Sequence, residues 1–152
     1  MIQRTEKGTA ILLEALKKEA ERARKEVSVL ADEADEYAKS ARGALNRAIK
    51  SREKAPYAPG VREWFVKMSD CIWEIFTILD QMNAEFETVE SIWREAERSK
   101  DYDQVKKLEE RVLKGLSEAK ILHLESRRIH TKILELENRI QSVVWDFIGL
   151  HE

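Results

Sequence analysis

The chain has 152 residues, with 27 basic and 29 acidic side chains and a formal net charge of −2. That length reads as one domain, and the balanced charge gives no global pull toward nucleic acid. A single cysteine excludes an internal disulfide framework and fits a reducing, cytoplasmic compartment. No apolar run reaches the ~18 residues of a membrane span, and no signal-peptide pattern opens the chain.

Five glycines and two prolines leave little room for long loops. The first segment, about residues 5–55, carries Leu13, Leu16, Ala20, Ala23, Val27, Leu30, Ala34, Tyr37, Ala41, Ala44 and Ala48 at alternating steps of three and four. Pro56-Tyr57-Ala58-Pro59-Gly60 then stops the helix and turns the chain. The second segment, 61–98, repeats the pattern in Val61, Phe65, Met68, Ile72, Ile75, Leu79, Met82, Phe86, Val89, Trp93 and Ala96. Ser99, Asp101 and Asp103 offer caps for the third, about 103–150. There the series runs from Val105, Leu108, Val112, Gly115 and Ala119 through Ser126, Ile129, Ile133 and Leu136 to Ile140. No segment alternates as a strand does. The reading is all-α: three long antiparallel helices in an up-down-up bundle with coiled-coil packing. A helix of ~45 residues is ~70 Å long, so a single rigid rod is expected.

Antiparallel pairing fixes a register. Between the first and second helices, paired numbers sum to about 116; between the second and third, to about 201. Bulky residues of the middle helix then face small ones, with Phe86 over Gly115 and beside Leu30. The same register leaves two overhangs. One holds Ile11 and Leu12; the other holds Val143, Val144, Trp145, Phe147, Ile148 and Leu150. These eight are the candidate partner-binding residues, exposed unless a second chain or the Pro56–Gly60 turn covers them.

Signals for chemistry are weak. His123 and His130 stand ~10.5 Å apart along a helix, too far to share a metal with ~2 Å bonds, and no Glu-x-x-His pattern supports a di-iron bundle. No metal and no cofactor are expected. Cys71 lies near the level of His130, the only arrangement here that resembles a nucleophile with its base. Asp32, Glu33, Asp35 and Glu36 read as a solvated face. No phosphate loop or nucleophile elbow occurs, so an enzyme is not expected.

Charge is uneven along the chain. Residues 39–54 hold Lys39, Arg42, Arg47, Lys50, Arg52 and Lys54 against Glu53 alone, whereas 61–100 hold five basic and nine acidic residues. The preferred use is flank pairing between helices, with Glu63, Asp70 and Glu74 as partners. The alternative is an anionic membrane surface met by Arg47, Lys50, Arg52 and Lys54 together with Trp64, Trp73 and Trp145.

In layout the chain resembles the spectrin-type three-helix coiled coil, in shape only: its helices are longer and no sequence motif of that family is matched. The functional expectation is a structural or interaction protein that self-associates, as a homo-oligomer, or docks a helical partner. Lipid binding is the alternative, and nucleic acid is not an expected partner.

Overall fold

The computed structural model describes the backbone of residues 2–151 and the side chains of residues 8–149. It contains three helices, α1 (Ile2–Lys54), α2 (Val61–Arg98) and α3 (Tyr102–His151), and no strand among the described residues. They pack against one another as a three-helix bundle. The helix limits lie within three residues of those read from the sequence.

Each turn has a local cause. Beyond α1, successive tight bonds from Ala55 N to Arg52 O, Ala58 N to Ala55 O and Val61 N to Ala58 O fold the chain back. Ala55 and Ala58 are buried in this turn. Gly60 adopts φ 83°, and its carbonyl accepts the Trp64 amide at 3.1 Å. A side chain at residue 60 would meet the Trp64 ring only at ordinary contact distance, so the left-handed backbone is what demands glycine. At the second turn Asp101 Oδ1 accepts the Asp103 amide at 3.2 Å, and the Asp101 carbonyl accepts that of Val105. Asp101 is therefore the cap of α3.

The chain divides into two compact units, and each takes part of every helix. The first comprises residues 1–32 and 81–123; the second comprises 33–80 and 124–152. The first unit buries Ala20, Ala23, Val27 and Ala31 of α1 with Met82, Val89, Ile92 and Ala96 of α2 and Val105 to Ala119 of α3. The second buries Ala34, Ala38, Ala41, Ala44 and Ala48 with Met68, Cys71, Ile75 and Ile78, and with Ile129, Ile133, Leu136 and Ile140. In both units α1 presents a nearly all-alanine seam, and the larger side chains come from α2 and α3.

Contacts between α1 and α2 keep the expected register to within two residues. In the first unit Lys17 Nζ donates to the Glu97 carbonyl at 2.9 Å, and Arg24 meets Glu90 and the Trp93 ring. In the second, Arg42 lies over Phe76 and Arg52 over Phe65.

The buried faces differ from expectation in rotation. On α1, Ala31 and Ala38 are buried where Leu30 and Tyr37 were expected, and those two are half-buried. On α2, the shared positions Val61, Met68, Ile75, Met82, Val89 and Ala96 are core as expected. Between them Leu79 is buried as expected, with Ile78 beside it; Cys71 and Ile92 are buried where Ile72 and Trp93 were expected, and Ile72, Phe86 and Trp93 are half-buried. Gly115 accordingly faces Val89 and Glu85 rather than Phe86. A Cβ there would stand 3.0 Å from Glu85 Oε1 and closer still to Val89 Cγ2. The size argument holds at the right level of the helix, but the valine fills the space.

The aromatic side of α2 is turned toward α1, where alanines are too short to cover it. Arginines close that gap: Arg24, Arg42 and Arg52 lay guanidinium groups 4.1–5.1 Å from the ring centres of Trp93, Phe76 and Phe65. Such stacking covers apolar surface while the charge keeps its water.

Candidate functional site

The candidate surfaces follow from which side chains the bundle leaves uncovered. Ile11 is 70% exposed and Leu12 53%. The Lys17–Glu97 bond marks the last turn of α2, so Ile11 and Leu12 lie about 8–9 Å before that level at 1.5 Å per residue. This overhang is the one the register implies. Leu13 and Leu16 behind it are half-buried.

The second group divides. Val144 is only 2% exposed and belongs to the core of the second unit, which corrects its assignment to a partner face. Its spacing from Ile140, Leu136 and Ile133 continues the α3 seam at steps of four, four and three, so burial is the natural outcome. Val143, Phe147 and Ile148 are half-buried, and the side chain of Leu150 lies outside the described residues. Trp145 remains 65% exposed, with Lys54 Nζ 5.8 Å from its ring centre.

The basic segment is largely committed to its own chain. Arg47 makes a two-point ion pair with Glu137 of α3: Nε donates to Oε1, and a second guanidinium nitrogen lies 3.2 Å from Oε2. The Glu137 carboxylate is buried and also accepts from Gln141 Nε2 at 3.2 Å. Attachment to this carboxylate raises the Arg47 pKa further. Arg52 and Lys54 rest on Phe65 and Trp145. The expected partners Glu63, Asp70 and Glu74 form no ion pair with these residues among the described ones. Aromatic faces and an α3 carboxylate take their place, because the rotation of α2 brings rings rather than acids to α1. Lys50 is exposed.

Trp73 stands apart from the turn that Trp64 adjoins. Trp64 is half-buried beside Gly60. Trp73 is 76% exposed but lies about 18 Å along α2 from its first residue. Tyr57, in the turn, is exposed and was not singled out from the sequence.

Cys71 and His130 are not brought together. His130 Nε2 is 2.8 Å from Ser40 Oγ, and its ring stacks on Tyr37 at 5.1 Å, both on α1. Burial holds the His130 pKa below its ordinary value. The Cys71 thiol is pushed up, mainly by burial, with Lys132 acting against it and Glu74 and Asp70 adding to it. A thiol so placed is a small core side chain. Among the described residues no three His, Cys, Asp or Glu side chains gather where a metal could bind, and no helix is long and apolar enough to cross a membrane. Asp35, in the acidic run of α1, pairs with Lys39 at 2.9 Å.

The first unit holds carboxyl groups that sequence reading did not single out. Glu109 of α3 is buried, and its pKa is raised by that burial and by Glu19 of α1, with Glu110 adding and Lys106 opposing. Glu85 of α2 is raised by burial and by the neighbouring Glu118 carboxyl of α3, with Lys114 opposing. Glu85 occupies a seam position, seven after Ile78 and seven before Ile92, and that spacing was the available signal. Glu85 and Glu118 line a shallow groove with Ala84, Thr88, Ile121 and Leu122.

The chain matches no protein-family model, no curated protein and no solved structure.

Proposed function

We propose that this chain is a non-catalytic interaction protein, a three-helix bundle that self-associates or docks a helical partner through apolar side chains its own core does not use. The observation that carries the reading is the exposure of Ile11, Leu12 and Trp145 on helices whose opposite faces are already buried. Large apolar groups in such positions are contact candidates, because burying each against a partner is worth roughly 1.5–3 kcal/mol. A single buried thiol suits the cytoplasm or another reducing compartment.

Light scattering over a range of concentrations tests the reading. The mean mass should rise with concentration, and a variant carrying Ile11→Ser, Leu12→Ser and Trp145→Ser should stay monomeric with unchanged helicity. Mass fixed at 17.7 kDa throughout, with no helical partner bound, would sink it. Truncation after Gln141 is the poorer test, because it removes Val144 from the core.

A second reading, a lipid-surface bundle, is favoured by one feature. Tyr57 and Trp145 are exposed in the second unit, with Lys54 on the Trp145 ring and Lys50 open to water. Aromatic and basic groups together suit an anionic interface. Sedimentation with phosphatidylserine-containing vesicles at low salt should carry the protein down, and neutral vesicles should not. Equal behaviour with both removes this reading.

A further inference from the structure

Two surfaces of the first unit have no use inside their own chain. The first is the outer face of α1. Ile11, Ala15, Lys18 and Arg22 recur at steps of four, three and four, and all are exposed on one stripe with Leu12 beside it. The start of this stripe runs past the end of α2. A helical stretch with no tertiary packing is marginal in water, so it gains order from a partner. Lys18 and Arg22 form no ion pair among the described residues.

The second surface is the groove between α2 and α3. Ile121, 64% exposed, and Leu122 supply its apolar wall. Glu85 and Glu118 line it from opposite helices, and Glu118 raises the Glu85 carboxyl with Lys114 acting against it. Gly115 keeps the Glu85 carboxylate there, since a side chain at residue 115 would displace it. A cation entering the groove replaces a like-charge contact with two opposite-charge ones.

We propose that this groove receives the exposed α1 stripe of a second copy of the chain, with Ile11 and Leu12 on Ile121 and Leu122 and the Lys18 ammonium against the Glu85–Glu118 pair. The proposal rests on the self-association reading above and names its surfaces. The charges are complementary, Lys18 and Arg22 on one side and two glutamates on the other. The apolar groups precede the basic ones along the stripe and adjoin the acidic pair in the groove. Stripe and groove are different surfaces, so the contact is head-to-tail and association continues beyond a dimer unless a ring closes.

Sedimentation velocity on the full chain at low salt, over a concentration series, tests it. Wild-type protein should show mass rising past a dimer. K18E/R22E and E85K/E118K should each weaken association at least tenfold, and an equimolar mixture of the two should restore it. Ile121→Ser, at an exposed position that leaves the fold intact, should weaken it too, with circular dichroism confirming helicity in every variant. If the wild type associates while these variants behave like it, or the mixture fails to recover, the groove assignment is overturned and self-association stands. A wild type that stays monomeric overturns both.

Discussion

The two units treat charge in opposite ways. In the second, the buried Glu137 carboxylate is held by Arg47, and burial lowers the His130 pKa while its ring stacks on Tyr37. In the first, Glu85 and Glu109 are raised by burial and by a carboxyl on another helix, Glu118 and Glu19 respectively. The first unit also pairs Arg24 with Glu90 across its helices; what sets it apart is two carboxyl groups whose carboxyl neighbours a proton or a foreign cation would relieve. Both are built on the same alanine seam of α1, so the contrast comes from the residues that flank the seam.

The largest test of the contrast is steric. Gly115→Leu places a side chain where Val89 and Glu85 already stand. It should destabilise by about 1–3 kcal/mol or more as the layer overpacks, read from urea denaturation. Combining it with Val89→Ala should recover part of the loss. A neutral Gly115→Leu would show that the first unit is loosely packed at this layer.

Arg47→Ala should cost about 1–3 kcal/mol. That is below the 3–5 kcal/mol of a fully buried broken pair, because Arg47 itself is half exposed. The double variant with Glu137→Leu should regain most of it, since removing both charges removes the buried orphan. Additive losses in that double-mutant cycle would show that the pair is not coupled.

Ser126→Ala is the counterpart in the apolar core of the second unit. The Ser126 hydroxyl is buried with no hydrogen-bond partner among the described residues. Its removal should raise stability by about 1 kcal/mol. A loss of stability would reveal a partner for this hydroxyl.

The smallest effect sharpens the comparison most, because its sign differs between units. The folded pKa values of Glu85 and Glu109 lie above the ordinary 4.5. Their contribution to stability is fully present at acid pH and is lost as pH rises through the raised values. His130 lies below its ordinary 6.5, so its contribution is present above that value and is lost as pH falls. As pH falls from about 7.5 to the ordinary carboxyl value of 4.5, hydrogen exchange corrected for intrinsic rate should show the first unit gaining protection and the second losing it. E85Q/E109Q and H130Q should each flatten the response of their own unit. Both units moving the same way would contradict the charge contrast.

The amino-acid sequence by itself determined the three helices, their turns and the α1–α2 register. The reason is local: apolar steps of three and four over many turns specify a long amphipathic helix. Pro56, Pro59 and Gly60 fix one reversal, and the Asp101 cap fixes the start of the next helix. It also marked Ile11, Leu12 and Trp145 as uncovered, because residues beyond the paired length lack a neighbour. What only the tertiary structure decided is which flank of each seam is buried. Successive residues on a helix differ by about 100°, so Phe86 and Glu85, or Leu30 and Ala31, compete for the same core edge. The winner depends on the neighbours. Alanines on α1 draw that helix close and leave the α2 rings to arginine stacking, which turns Val89 toward Gly115 and carries Glu85 into the groove. Register alone left open whether Val144 is covered by a second chain or by its own; the structure buries it within the second unit, as it buries Ala55 and Ala58 of the turn.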